Sequence, residues 1–172
     1  MPEQTPNAET GSRRLEIWLP IAIVVIDQIT KAIVRARVPV YSSVTVFPGF
    51  MDLTHVPNTG AAFGLLHTTD FPFKTALIAI IATGAMVSVG IYAARLARHQ
   101  LFARIGLALI IGGAAGNLID RVVVGSVVDF VDVYWRSHHF WAFNVADSAI
   151  SIGVTIMILD MLGVGAHVSK TA

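Results

Sequence analysis

Two aspartates, Asp129 and Asp147, are the side chains of this sequence whose positions suit chemistry best. Asp129 lies between Val128 and Phe130, where the aspartate of a solvated loop would be out of place. Asp147 follows Asn144 by three residues at the start of a long apolar run. Ionisable groups in apolar surroundings are costly, and each of them therefore indicates a function. We expect the two carboxylates to meet at one end of a helical bundle.

Two carboxylates that share a site cannot both ionise easily, so one of them stays protonated near neutral pH. One can then act as a base while the other acts as an acid. Such a pair can activate water against an amide carbonyl, protonate the carbonyl oxygen and then protonate the leaving nitrogen. The pair therefore predicts hydrolysis of an amide bond without a covalent intermediate.

Other polar residues near this level have structural as well as functional explanations. Asn144 and Asp147 could form an N-cap and a capping box, which explains them as well as a catalytic role does. Asp27 and Lys31, four residues apart, could be a neutralised pair that faces the bundle interior. Arg121 could extend to the membrane interface, or it could orient the aspartates or hold a substrate carbonyl.

The composition indicates that lipid surrounds these residues. Hydrophobic residues make up 55% of the 172 residues before the 14 glycines are counted. Charged residues make up only 13%, about half of the usual share of ~25%. A soluble domain of this size could not bury so much apolar surface. The formal net charge of +1 argues against a nucleic-acid partner, because no basic surface is available to neutralise phosphates.

Four apolar stretches approach the ~20 residues with which a helix crosses a bilayer. A backbone in lipid must satisfy its own hydrogen bonds, so the sequence predicts an all-α membrane protein with four transmembrane helices. Asn117, Asp120 and Arg121 fall at the end of the third helix. The predicted spans are residues 17–34, 75–94, 101–119 and 145–165, in a single polytopic membrane domain that covers residues 1–172.

The two longer connections, residues 36–73 and 120–142, are predicted to lie outside the cytoplasm. The first contains two β-rich pieces, Val44–Phe47 and Met51–Val56, separated by a Pro-Gly pair. These pieces predict a small hairpin or sheet on the membrane surface. Lysine and arginine are denser in the other segments, and the positive-inside rule then places both termini in the cytosol.

Several other chemistries are excluded or disfavoured by the residues. The sequence has no cysteine, which removes disulfides, zinc–thiolate sites and cysteine nucleophiles. His138 and His139 are adjacent and have no third ligand at a recognisable spacing, so a catalytic zinc is not expected. The sequence contains no Gly-x-Ser-x-Gly motif for a serine nucleophile.

Five blocks of the sequence, in this order, resemble the bacterial lipoprotein signal peptidase family, also called signal peptidase II. Any one block alone is weak evidence for this family. The ordered set extends from the first predicted helix to the fourth and is highly specific to the family. The blocks are Asp27-Gln28-Ile29-Thr30-Lys31, Asn58 to Phe63, Gly112 to Arg121, Val127 to Phe130, and Phe143 to Ile150.

The resemblance implies an aspartic endopeptidase of the bacterial cytoplasmic (inner) membrane, with a small outer β-cradle and its active site at the outer face. It implies prolipoprotein substrates whose cysteine carries diacylglycerol, cleaved on the N-terminal side of that cysteine, and neither a metal nor a cofactor. We expect a monomer in contact with membrane lipids. Asp129 and Asp147 match the catalytic pair. Eight further residues are the candidates for substrate binding or support of the site: Asp27, Lys31, Asn58, Gly60, Asn117, Asp120, Arg121 and Asn144.

Two other functional classes remain open from the residues alone. A small proton-coupled carrier or channel could use Asp27, Asp129 and Asp147 as a proton relay, although the chain lacks the internal repeat that is common in carriers. A membrane-embedded scaffold is the second class, and it would leave the apolar setting of Asp129 unexplained.

Overall fold

A computed structural model describes residues 7–60, 73–97 and 100–163 of the chain, with side chains from Glu16 onward. The end of the second sequence block, residues 61–63, and the end of the predicted fourth span, residues 164 and 165, lie outside this part. The elements in chain order are α1 (Asn7–Arg37), β1 (Ser43–Phe47), β2 (Met51–Asn58), α2 (Lys74–Arg95), α3 (Leu101–Val123), β3 (Val127–Trp135), β4 (His138–His139) and α4 (Val145–Met161).

Each of the four apolar stretches forms a helix. Among the residues that the structure describes, three helices are long and apolar enough to cross a membrane, namely the part of α1 from Glu16 to Arg37, α2 and α3. The fourth, α4, has 17 residues in the described part of the chain. α3 continues through Asp120 and Arg121 to Val123. Both side chains therefore belong to the end of a helix and not to a connection that begins at residue 120.

The connections supply a small antiparallel sheet with the strand order β1-β2-β3-β4. The predicted pairing of β1 with β2 is confirmed. The sequence does not predict β3 as a strand, yet β3 pairs with β2 and places Asp129 opposite Val56 and Val127 opposite Asn58. This pairing joins the two connections into one sheet.

A tight turn joins β1 to β2 at the Pro-Gly pair. The backbone N–H of Phe50 donates to the carbonyl of Phe47 at 3.0 Å, and Gly49 between them has a φ of 79°. Pro48 supplies the fixed φ that the second position of a type II turn requires, and glycine adopts the positive φ of the third position without strain.

α3 is the central helix and packs against the other three. Small residues permit this close approach. A Cβ added to Gly113 would collide with the backbone of Ala146 in α4, and one added to Gly112 would lie 2.9 Å from the Cα of Pro20 in α1. Small residues that let helix backbones touch are typical of helix packing in membranes.

The sheet rests on the end of α1. Val34 of α1 and Val38, just after it, form one buried cluster with Val128 and Phe130 of β3. His55 of β2 adds a contact between its ring Nδ1 and the carbonyl oxygen of Val38, at 2.8 Å. These contacts hold the first half of β3, and with it Asp129, against the helices.

Candidate active site

The fold brings the two predicted aspartates to one place from different elements. Asp129 lies on β3, and Asp147 lies in the first turn of α4. Asp129 is buried, with 4% of its surface exposed, whereas Asp147 is partly exposed. The pair therefore lies at the edge of the buried region, where a substrate and a water molecule could reach it.

Asn144 links the two aspartates. Its Oδ1 accepts the backbone N–H of Asp147 at 2.9 Å, and its own backbone N–H donates to Asp147 Oδ2 at 3.3 Å. These two bonds are the capping box that the sequence suggests. Because Oδ1 is committed to the cap, the Nδ2 group points the other way and donates to Asp129 Oδ1 at 2.7 Å. The structural and the functional explanation of Asn144 are thus compatible.

Asn117 of α3 orients Asp147 in a similar way. Its Nδ2 donates to Asp147 Oδ1 at 2.8 Å, and its Oδ1 accepts a hydrogen bond from Lys31 Nζ at 2.8 Å. An ammonium group can only donate. Lys31 therefore determines which end of the Asn117 amide faces the carboxylate of Asp147.

The end of β2 holds the other side of Asp129. Asn58 Nδ2 donates to Asp129 Oδ2 at 2.9 Å, while Asn58 Oδ1 accepts the backbone N–H of Gly60 at 2.8 Å. Arg121 donates from Nη2 to the Gly60 carbonyl at 3.0 Å and from Nη1 to the Asn117 carbonyl at 3.2 Å. The guanidinium group thus ties the residues just after β2 to α3, a role that is not among the three predicted for Arg121.

A buried cluster of charged side chains contacts this network through Lys31. Lys31 Nζ lies 2.8 Å from Asp27 Oδ2 and 2.8 Å from Asp120 Oδ2, and all three side chains are at most 1% exposed. The other oxygen of Asp27 accepts the backbone N–H of Ala146 at 3.0 Å, next to Asp147. The pair predicted in α1 is therefore a cluster of three charges that also fixes the start of α4.

Two further residues contact this cluster and are not among the site residues predicted from the sequence. Gln28 Nε2 donates to Asp27, to the Gly116 carbonyl and to Asp120, at 3.2, 3.1 and 3.4 Å. Arg35 Nη1 contacts Asp120 Oδ1 at 3.3 Å. Gln28 lies three residues before Lys31 and Arg35 lies four residues after it. This spacing is the signal that could have identified them, since residues three or four apart share a helix face.

The electrostatics of the site favour the protonated form of the Asp129 carboxyl. Burial, followed by the negative charge of Asp147, raises the pKa of the Asp129 carboxyl to about 6 from an ordinary value of 3.8. The hydrogen bonds from Asn58 and Asn144 and the charge of Lys31 act in the opposite direction. Asp129 thus keeps a proton at a pH at which an exposed aspartate is ionised.

All ten site residues predicted from the sequence therefore meet in one network of hydrogen bonds and ion pairs, in which Asn144 joins the two aspartates. Residues 19–163 of the chain match the family model described as signal peptidase (SPase) II. The chain belongs to the signal peptidase II family. The lipoprotein signal peptidase of Geobacter metallireducens is 45% identical over 138 residues, which are 80% of this chain and 84% of that protein. The lipoprotein signal peptidase of Pseudomonas aeruginosa is 38% identical over 157 residues, 91% of this chain and 92% of that protein.

Solved structures of bacterial membrane enzymes share the fold of this chain. Two structures described as bacterial membrane enzymes, obtained by the in meso method at 2.3 and 1.9 Å resolution, match the fold with TM-scores of 0.78 and 0.75. They are 31% and 33% identical to this chain and cover 91% and 86% of it, and the matches span 93% and 92% of their own chains. Signal peptidase II is a peptidase family, so the carrier and scaffold hypotheses are set aside.

Proposed function

We propose that Asp129 and Asp147 are the catalytic pair of this signal peptidase II. The observation that carries the proposal is that two aspartates from β3 and α4 converge on one amide network. Each of their four carboxylate oxygens has an N–H donor within 2.7–3.3 Å. Such donors hold both carboxylates in a fixed orientation and leave a second lone pair on each oxygen for proton transfer.

In the proposed mechanism, Asp129 is the acid and Asp147 the base. Asp147 takes a proton from water as the water oxygen attacks the peptide carbonyl carbon, and Asp129 gives its proton to the carbonyl oxygen. The tetrahedral diol then collapses. Asp147 passes its proton to the nitrogen as the C–N bond breaks, and one diol hydroxyl returns its proton to Asp129. Both aspartates end in their starting states.

The chain, as a member of its family, is an aspartic endopeptidase that removes signal peptides from prolipoproteins. We propose that the cysteine after the cleaved bond carries diacylglycerol. The diacylglyceryl chains would be held by apolar contact, at about 0.8 kcal/mol for each buried CH₂ group. All ten site residues come from one chain, so a monomer suffices for the reaction.

We also propose four membrane spans, with both termini in the cytosol of a bacterium and the site at the outer face of its inner membrane. α4 would be the fourth span, since its 17 residues cover about 26 Å at ~1.5 Å per residue and Ile152 and Ile158 are about half exposed. Ser42→Cys in the cysteine-free chain should then be labelled from outside intact cells, and Ala97→Cys only after permeabilisation. The opposite pattern would overturn the proposed orientation.

The catalytic assignment is tested with Asp129→Asn and Asp147→Asn. Asparagine keeps the size of the side chain but cannot accept and return a proton, so each variant should lose nearly all cleavage. The double variant should be little worse, because residues that act as a unit are not additive. The measurement is the mass of a purified diacylglyceryl-modified prolipoprotein before and after incubation with each variant.

A matched control is Asp132→Asn, which removes a charge three residues further along β3. Asp132 pairs with the exposed ring of His139 at 2.9 Å and should be dispensable. All variants should still bind substrate, because apolar contact holds it. Substantial cleavage by Asp147→Asn alongside an inactive Asp129→Asn would reduce Asp147 to a helix cap and refute the pair.

A further inference from the structure

Five large aromatic side chains are exposed at one end of the sheet. Two of them flank the Pro-Gly turn between β1 and β2, and the others lie at or after the turn from β3 to β4. We call this set the aromatic tip. Its members and their exposed fractions are Phe47 (57%), Phe50 (51%), Trp135 (69%), Phe140 (59%) and Trp141 (62%).

The hydrogen bonds of the sheet place these residues together. The Phe50 carbonyl accepts the backbone N–H of Tyr134 at 2.9 Å, so the β1–β2 turn lies beside the end of β3. Trp135 pairs with His138, and the backbone N–H of Phe140 donates to the Val133 carbonyl at 2.8 Å. Asp129 lies six residues before Trp135, so the aromatic tip is about 20 Å from it along β3.

Large exposed apolar surface on a protein marks a contact with another phase or molecule. Tryptophan and other aromatic side chains concentrate at the interface of a bilayer, because their apolar bodies and polar edges suit its two environments. The chain itself restricts where the tip can lie. Residues 38–42 and 124–126 join α1 and α3 to the opposite end of the sheet. At the tip itself, only residues 140–144, which include Phe140 and Trp141, separate β4 from α4, and this short connection limits the distance of the tip from the start of that helix.

Exposed apolar side chains also lie at the ends of the helices from which the connections to the sheet begin or to which they return. At the end of α3, Val122 and Val123 are 72% and 77% exposed, and Phe73 at the start of α2 is 84% exposed. These side chains extend the surface of helices that cross the membrane. We propose that the aromatic tip inserts into the lipid interface, so that the sheet is a second membrane-binding element beside the helices.

Insertion of the aromatic tip would fix the depth of β3, the strand that carries Asp129, relative to the membrane. Because Asp129 and Trp135 share β3, anchoring one end of this strand sets the depth at which the other end presents its carboxylate. A lipid-modified substrate is itself held at a fixed depth by its acyl chains. This consequence for cleavage rests on the proposed function, whereas the insertion itself does not.

Tryptophan fluorescence tests the insertion directly. The chain has three tryptophans, namely Trp18, Trp135 and Trp141. The full chain with Trp18→Phe and Trp141→Phe reports on Trp135 alone, and the full chain with Trp18→Phe and Trp135→Phe reports on Trp141 alone. In phosphatidylcholine–phosphatidylglycerol vesicles, acyl chains brominated near the headgroup should quench both tryptophans more than chains brominated near the bilayer centre. The variant that keeps only Trp18, on the exposed surface of α1, is the reference for a lipid-facing tryptophan.

Two results would overturn the insertion. Strong quenching by iodide in water without quenching by brominated lipid would place the tip in solvent. Resistance to both quenchers would mean that protein, such as a second copy of the chain, covers the tip.

A pair of variants connects insertion to cleavage. Phe47→Ser with Phe50→Ser should raise iodide quenching of Trp135 in vesicles and lower cleavage there several-fold, while the melting temperature in detergent stays unchanged. Tyr41→Ser, which removes an exposed aromatic residue before β1 at the far end of the sheet, is the matched control and should change neither quantity. Unchanged iodide quenching in the double variant would refute the anchoring role of the two phenylalanines, whatever happens to cleavage.

Discussion

The buried carboxyl of Asp129 leads to a prediction about how the stability of the folded protein depends on pH, and this prediction can be tested without an activity assay. In the folded protein its pKa is raised to about 6 from 3.8. A raised pKa means that the folded state binds a proton more tightly than the unfolded state does. The contribution of this group to stability is therefore complete below about pH 3.8 and is lost as the pH rises towards about 6. Asp129→Asn removes the group that titrates and with it this pH dependence.

The magnitude follows from the size of the shift. A shift of about two pH units, at about 1.4 kcal/mol per unit, corresponds to about 3 kcal/mol. Asp129 is only 4% exposed, so solvent screening reduces this value little. For a chain of this length, about 3 kcal/mol corresponds to roughly 6–12 °C in melting temperature.

At acid pH, Asp129→Asn is not expected to stabilise the protein. Both oxygens of Asp129 accept N–H groups, from Asn58 and Asn144, and an asparagine at this position would turn its own NH₂ towards one of them. The variant should therefore be no more stable than the native chain near pH 4. The stability of the variant relative to that of the native chain should rise between pH 4 and pH 7 as the native carboxyl ionises.

Melting temperatures of both proteins in the same detergent, measured from pH 4 to pH 8, give this comparison. Asp160→Asn, at the other end of α4, controls for the loss of one negative charge. Parallel curves for the native chain and Asp129→Asn would refute the claim that Asp129 is a buried group with a raised pKa.

Two further predictions concern the packing beneath the site. Lys31→Met leaves two buried carboxylates without their ammonium group and should cost about 3–5 kcal/mol, and adding Asp27→Asn should restore part of the folded yield in detergent. Asp27→Asn alone should be milder, because Asp120 still pairs with Lys31, and equal losses for both single variants would contradict the three-charge cluster. Gly116→Ala should lower the melting temperature, because its Cβ would lie 2.6 Å from Asp27 Oδ2. Gly84→Ala, with open space around its Cβ, is the control and should be neutral or stabilising by up to about 1 kcal/mol.

Much of the fold follows from local properties of the sequence. Length and hydropathy identify the four helices, and the Pro-Gly pair identifies the turn between β1 and β2. β3 is different, because its burial changes along its length from four buried residues to partly exposed ones. Asp129 and Asp132 also interrupt any alternation of apolar and polar residues. Its partner β2 lies about 75 residues earlier in the chain, and no local pattern encodes such a pairing.

The polar residues of the site were predicted better than their contacts. A charged side chain in an apolar run is visible in the sequence, as Asp27 and Lys31 are, whereas the resemblance to the family supplied Asn117 as a candidate of the site. Which atoms they contact depends on helix packing. The sequence suggested a pair for Asp27 and Lys31, and packing of α1 against α3 added Asp120 as a third member.

The three asparagines of the site share one physical role, which explains why amides surround the aspartates. Each uses its oxygen to bind a group fixed by the fold: the backbone N–H of Asp147 for Asn144, the Lys31 ammonium for Asn117 and the Gly60 N–H for Asn58. Each then presents its NH₂ group to an aspartate. A cation in direct contact would favour the ionised form and lower the pKa of the acid. A neutral amide transmits orientation from the fold to the carboxylate while leaving the pair able to exchange a proton.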